Sequence, residues 1–536
     1  MFDQPRYEYR RAPELDGKAR HRNVIVVGAG PVGLTAAIDL AGRGQPVLLL
    51  DDEDTVSVGS RAICYSKRTL EILDRLGCGE AIASKGVSWN VGKVYHGDTL
   101  AYRFDLSTEP GHHRPAFVNL QQYHFESCLV QRARSLPNLD LRWRHKVTAV
   151  EQDAGRVAVT VTTEDGDYDL TCDWLVVCDG ARSPIRHMLG LDFEGRVFRD
   201  RFLIADIRMS SDFPVERRFW FDPPFHRNQS VLLHRQSDDV WRVDFQLGWD
   251  ADPEVERQPE RIEPRLRAML GEEARFTIVW SSVYTFQCRR MQRFRHGRMI
   301  FAGDAAHVVS PFGARGANSG IQDADNLAWK LDFVMRGVAP DSLLDTYDSE
   351  RAAAADENLR HSTRSTDFIT PKSAVSRTFR DAVLSLARRH AFARTLVNSG
   401  RLSVPAVLAD SPLNTPDADA FEGRMVPGAA AADAPVDGPC GAWLLEHIGH
   451  DFTLMTFGAV VDERTRASLA GGAIPVRVLQ VGGPGGVRDL EGLVASRYDA
   501  RDGTCYLLRP DQHVCARWRS FDRAKVDAAL ARATGR

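Results

Sequence analysis

"VIVVGAGPVGLTAAIDL", Val24–Leu40, sets a bare, three-glycine turn between two apolar segments. The pattern predicts a short buried strand, a turn through Gly28-Ala29-Gly30-Pro31-Val32-Gly33, and a helix that begins at Pro31. In such a turn the first glycine permits the reversal, the second leaves room for a phosphate, and the third lets helix pack on strand. The helix start offers free N–H groups and the positive end of its dipole to a pyrophosphate. A Walker-type loop needs Gly-Lys-Ser/Thr, and Leu34 follows Gly33, so that reading is excluded. A second strand, "PVLLL" (Pro46–Leu50), ends at Asp51, near the ~20-residue offset of a ribose-binding acid. Asp51 follows the strand directly, with Asp52 beside it. The site expected here holds an adenine dinucleotide, with NAD(P) and FAD both open.

Two further strands deliver aspartates at their carboxyl ends, where open α/β sheets bind ligands. "DWLVVCDGARSPIR" (Asp173–Arg186) brings Asp179 and Arg182, and "GRMIFAGDAAHVVSPFGARGANSGIQDADNLAWKL" (Gly297–Leu331) brings Gly303 and Asp304. Taken singly, either loop is equally well a turn with an Asx cap. Together with Gly28–Gly33, "CDGARS" and "GDAAHVVSPFGARGANSGIQDADNLAWKL" resemble the group A FAD-dependent aromatic hydroxylases, the single-component monooxygenases of p-hydroxybenzoate, phenol and 3-(3-hydroxyphenyl)propionate hydroxylase type. The resemblance extends over about residues 22–400.

That resemblance implies FAD as cofactor, NADH or NADPH as co-substrate, O₂, and ring hydroxylation through a flavin C4a-hydroperoxide. It implies FAD contacts at Gly28, Gly30, Pro31, Val32, Gly33, Asp51, Asp52, Arg61, Asp179 and Arg182, the last two shared with the pyridine nucleotide. Gln122 matches a flavin-contacting glutamine, with Gln121 as the adjacent alternative. Gly303 and Asp304 match the ribityl-binding turn. Pro311, Gly316, Ala317 and Asn318 match the loop and helix start at the flavin ring, where a helix dipole favours negative charge. The family usually carries Gly-Gln-Gly-Met-Asn where this chain has Ala314-Arg315-Gly316-Ala317-Asn318, so Arg315 is a departure. No second strand-linked Gly-x-Gly-x-x-Gly appears, since "VGGPGGV" (481–487) lacks the final glycine. A separate nicotinamide domain is therefore not expected.

Between Arg186 and Gly297, "SVLLHR", "VWRVDFQL" and "FTIVWSSVYTFQCRR" alternate as sheet strands do. A sheet lined with aromatics and a few polar groups suits a small aromatic ligand. Candidates to take a phenol proton are His234, Asp244 and Tyr284, and Arg235 or Arg242 would hold a carboxylate or phenolate bidentately. Each competes with a plainer role as a surface residue or satisfied ion pair. Pro311 is the candidate beside the reactive flavin edge, whereas His307 reads as structural.

The expected class is α/β with α+β parts. An N-terminal arm (1–22) precedes a Rossmann-type FAD-binding domain (23–185 and 290–365), with part of 80–120 turned toward the substrate. A substrate-binding sheet domain (186–289), a helical region and linker (366–420) and a thioredoxin-like C-terminal domain (421–536) complete it. One long helix is expected to continue from Trp329 to Arg351, and another over Ala374–Val397. The C-terminal part lacks Cys-x-x-Cys, so interaction or dimerisation is its expected role.

At 536 residues, 43% hydrophobic and 26% charged, the composition is that of an ordinary globular protein. A net charge of −3 makes no case for nucleic acid or an anionic membrane as partner. The polar N-terminus and nine scattered cysteines point to a reducing cytoplasm, without disulfides or a structural metal. The reading is an aromatic hydroxylase acting on a phenol or hydroxylated aromatic acid. An FAD-dependent dehydrogenase or oxidase, and a flavin-bound sensor without turnover, are the alternatives.

Overall fold

The apolar run Val24–Val27 lies at the centre of a twisted sheet, fully or nearly fully buried. The computed structural model describes residues 4–17, 20–107, 109–397, 402–458, 461–483 and 485–536. In the first sheet the strand Arg20–Val27 pairs in parallel with Val47–Asp51 on one side and Gly166–Val177 on the other. Met299–Phe301 and Leu139–Trp143 extend the parallel core outward. Strands buried on both faces read as unbroken Val/Leu/Ile runs rather than alternations, which is why these were legible. Their carboxyl ends meet: Gly28 N–H donates to Leu50 O at 2.8 Å, Cys178 N–H to Val27 O at 2.8 Å, and Ala302 N–H to Val177 O at 3.0 Å.

A second sheet of eight strands stands over that edge. Its order runs His307–Val308, Thr277–Arg290, Glu194–Arg208, Val240–Leu247, Ser230–Arg235, Arg217–Phe221, Val91–His96, Thr99–Asp105. The last two come from the N-terminal half of the chain. One face packs Leu203, Ala205, Leu233, Trp241, Val243 and Phe245 against Ile262 and Leu266 of the helix Pro259–Leu270. The other face looks toward the first sheet.

The helix expected from Trp329 to Arg351 is two helices, Gly316–Met335 and Leu343–Ile369. Gly337, at φ +68°, and Pro340 lie between them, and the chain turns there. The expected Ala374–Val397 helix likewise divides into Ala374–Ala387 and Ala391–Leu396. From residue 402 an extended arm buries Leu402 against Ile63, Trp89 and Phe117, and then Leu413 against a small C-terminal sheet. In that sheet Phe452–Phe457 pairs in parallel with Val476–Val481 and antiparallel with Cys505–Leu508, which pairs with Val514–Trp518. This is a thioredoxin-like arrangement with free cysteines only among the described residues. Its apolar side packs on Trp329 and Phe333, so the C-terminal unit shares a core with the helix that begins at Gly316. Among the described residues no helix is long and apolar enough to cross a membrane, and no cluster of side chains suits a metal ion.

Candidate active site

A cavity of about 1010 Å³ runs from the three strand ends of the first sheet to the inner face of the second. At the first end Gly28 has φ +102°, a conformation L side chains avoid. A Cβ there would lie 2.4 Å from Cys178 O, and one on Gly33 would lie 1.9 Å from Gly28 O. Gly30 is different. Its backbone is ordinary extended chain, and a Cβ on it would meet no protein atom within 4 Å. Since Gly30 lines the cavity, the space beside it is kept for a ligand. Gly33 serves packing and does not line the cavity. Nor does Gly303, whose Cβ would sit 2.8 Å from Val32 Cγ2.

Asp51 lies at the mouth of this turn and accepts N–H bonds from Ala29 and Glu53. Burial pushes its carboxyl up to about 7 despite those bonds. Asp52, Arg61, Arg182, Pro31 and Val32 also line the cavity. Of the two adjacent glutamines, Gln122 lines the cavity and Gln121 turns away to Ser237 O at 2.9 Å. Gln122 is fixed by Ala62 N–H at 3.0 Å and by its own bond to Glu126 at 2.8 Å. Neither Ser57 nor Glu126 stood out in the sequence, yet both hold the loop after Asp51: Ser57 N–H and Oγ donate to Glu126.

Asp179 accepts from Ile185 N–H at 3.1 Å, and its other oxygen is buried without a partner. Asp304 opens into the cavity, and its recessed position raises its carboxyl above the usual range. No hydrogen bond to a described residue satisfies it. Pro311 and the helix start Gly316-Ala317-Asn318 line the far wall of this compartment. The first N–H groups of that 20-residue helix have no partners within the helix. The Asn318 side chain is occupied, accepting from Ser66 N–H and Thr69 Oγ1 and donating to Cys64 O and Ala314 O. Arg315 is buried and bonds Asn358 Oδ1 at 2.9 Å. His307 is locked to Asp323 at 2.6 Å, away from the cavity lining.

The second sheet's inner face is a cross-strand ladder. His234 stands opposite Arg242, Arg242 opposite Asp206, and Asp206 opposite Trp280. Arg217 lies one position before the Arg218–Leu233 pair and so beside His234. In the next row Leu232 faces Asp244, Asp244 faces Ile204, and Ile204 faces Ser282. Arg217, His234, Arg242, Asp244, Trp280 and Tyr284 all line the cavity. Burial pushes the Asp244 carboxyl up to about 7, and burial with the two arginine charges holds His234 well below its usual range. Arg242 is already paired bidentately with Asp206, at 2.8 and 2.9 Å. Arg235 does not reach the cavity. Strand alternation turns it to the opposite face, where it pairs with Asp239 at 3.2 Å beside Trp241.

A glycine turn, an acid after the second strand, Asp304 without a partner among the described residues after Met299–Phe301 and a helix start beside them define a dinucleotide-flavin site. The open space beside Gly30, and the orphaned Asp179 oxygen, fit FAD. The comparisons with known proteins agree: residues 21–362 match the FAD binding domain family, and the chain belongs to it. The 12-dehydrotetracycline 5-monooxygenase/anhydrotetracycline 6-monooxygenase of Streptomyces rimosus is 34% identical over 363 residues, 65% of this chain and 70% of that protein. A flavin-dependent monooxygenase of Mycobacteroides abscessus is 32% identical over 81% of this chain and 88% of its own length. The solved structure of the anhydrotetracycline hydroxylase OxyS from Streptomyces rimosus superposes with a TM-score of 0.73 at 27% identity, covering 96% of this chain and 99% of that one. The protein is an FAD-dependent monooxygenase of the aromatic hydroxylase type.

Asp304→Ala is expected to weaken FAD binding about 10- to 100-fold, the loss of a charge-assisted hydrogen bond or two. Flavin content of the purified variant and fluorescence titration of its apoprotein measure this. A fully loaded yellow variant would remove Asp304 from the cofactor contacts.

Proposed function

We propose that the protein hydroxylates a phenolic ring, using NADH or NADPH and O₂. When bound, FAD supplies the electron transfer and the oxygen chemistry; the chain's part is to hold the ring, keep water out and manage the phenol proton. Gly28–Gly33, Asp51, Asp179 and Asp304 would hold the cofactor's phosphates and sugars, and the Gly316 helix start would face its ring. Trp280, Tyr284 and Phe286 wall the compartment beyond that and exclude water.

Asp244 is the group to accept the phenol proton. Poised near neutrality by burial, it is available as a base at working pH. His234, kept neutral, offers a ring nitrogen at the same wall. The observation that carries the reading is the single cavity joining the cofactor turn to this polar and aromatic ladder. Relatives named for anhydrotetracycline and for para-nitrophenol show that the family spans fused and single rings, and the chamber here is read as taking a phenol of either size.

NAD(P)H loss, O₂ uptake and product are to be followed with a panel of phenols. Oxidation stimulated by a ring compound, with hydroxylated product formed, is expected. Equal rates with and without every ring compound, or no oxidation, would remove the hydroxylase reading; steady peroxide release without a hydroxylated ring would favour an oxidase.

A further inference from the structure

Among the described residues every buried arginine but one hydrogen-bonds a carboxylate, carbonyl or amide oxygen. Arg68, Arg142, Arg351 and Arg509 meet carboxylates, and Arg186 meets the Ala305 and Ala181 carbonyls. The exception is Arg217, 5% exposed, with no such partner. It sits at the ring end of the cavity, where Cys64, Asp244 and Tyr102 are its electrostatic neighbours.

Two more polar atoms on the same wall are buried without partners, His234 Nδ1 and Asp244 Oδ1. The adjacent Arg242 shows what saturation looks like here: Asp206 occupies its fork, and its remaining reach goes to Ser60 O. A buried guanidinium left without a counter-charge is costly, and a fold keeps one where a ligand supplies the missing anion. Planar guanidinium matches an oxyanion with paired donors.

We infer that Arg217 is the receptor for an anionic oxygen of the substrate, a phenolate or a ring-borne carboxylate, seated between it and the Asp244–His234 pair. The inference rests on the ring-hydroxylation reading and narrows it to substrates that bind as anions. Arg242, which looked the better candidate from sequence, shapes the wall through Asp206 instead.

The test is equilibrium binding to the FAD-loaded protein, followed by the flavin spectrum, without turnover. Two nearly isosteric pairs are compared: 4-nitrophenolate with 4-nitrotoluene, and 3-hydroxybenzoate with 3-hydroxybenzamide. In the parent at least one anion binds more tightly than its neutral isostere, and which pair shows the preference tells phenolate from carboxylate. Arg217→Met is expected to weaken that anion about 10- to 100-fold while leaving the neutral partner nearly unchanged. Arg217→Lys should recover part of the preference. Because the guanidinium has no protein partner, the Met variant's flavin content should hold and its thermal midpoint should stay or rise. Equal loss for neutral and anionic ligands, unchanged anion affinity in the Met variant, or no anion bound by the parent would overturn the inference. An anion preference that persists in a protein making no hydroxylated product would sink the activity reading alone.

Discussion

Glu350→Ala is expected to cost about 3–5 kcal/mol, the price of stranding buried partners of a removed charge. Glu350 lies on the helix Leu343–Ile369, 3% exposed. Lys330 Nζ donates to it at 2.7 Å, Asn326 Nδ2 at 2.7 Å, and Arg509 makes a two-pronged pair at 2.7 and 3.1 Å. Arg509 lies in the turn between the strands Cys505–Leu508 and Val514–Trp518 of the C-terminal sheet, and Lys330 on the helix whose first residues face the cofactor compartment. One carboxylate therefore ties three parts of the chain together. Asp511 continues the tie, accepting from Trp329 Nε1 at 3.1 Å, and Arg68 reaches the Asp511 carbonyl at 2.8 Å.

The pH dependence follows from the sign. Burial alone would raise the Glu350 carboxyl, but Arg509 and Lys330 outweigh it and hold the group well below the usual range. A carboxylate depressed on folding stabilises fully above its unfolded value, ~4.3, and loses that contribution as the pH falls toward its folded value. The gap between the parent and Glu350→Ala should therefore be widest near neutrality and shrink in acid. Thermal or urea unfolding across that range measures it. A midpoint unchanged by the substitution at neutral pH would show that the network contributes nothing net.

None of this network was visible in the sequence, because Glu350 and Arg509 stand 159 residues apart and each looks like a surface charge. What was legible came from local periodicity. The unbroken apolar strands and the three aspartates at their ends located the cofactor compartment. In the second sheet period two already contained more than was read from it: His234 and Arg235 are neighbours and must face opposite sides, whereas Arg242 and Asp244 share one. Alternation alone removes Arg235 once His234 is placed inside. Arg217 escaped for a different reason. "RRFWF" opens with two arginines that look alike, but Arg218 turns out to Glu216 at 2.8 Å while Arg217 turns in. Choosing between them requires the strand's pairing with Ser230–Arg235, which the sequence does not state. The break near Gly337 is legible, since glycine followed by proline three residues on is a stop signal.

Gly33→Ala and Gly30→Ala should part company, and the contrast tests how the turn works. A methyl on Gly33 lies 1.9 Å from Gly28 O and 3.2 Å from Cys178 Cβ. The first obstacle is backbone, held by the Gly28 N–H bond to Leu50 O, so helix and strand must separate. Overpacking of this kind costs about 1–3 kcal/mol or more, and moving the helix start also displaces the N–H groups that meet a phosphate. Gly33→Ala is thus expected to lower the unfolding midpoint of the apoprotein and to abolish flavin retention. At Gly30 the backbone suits any residue and the methyl meets no protein atom. The apoprotein of Gly30→Ala should keep its stability to within about 0.5 kcal/mol, or gain slightly from a stiffer unfolded chain. Its FAD affinity should nevertheless fall, because the methyl enters the space from which a phosphate approaches the helix start. Apoprotein melting curves and FAD titrations, run side by side, separate the two. If Gly30→Ala bound FAD as tightly as the parent, the pyrophosphate would have to run elsewhere, and the glycine turn would be a packing device only.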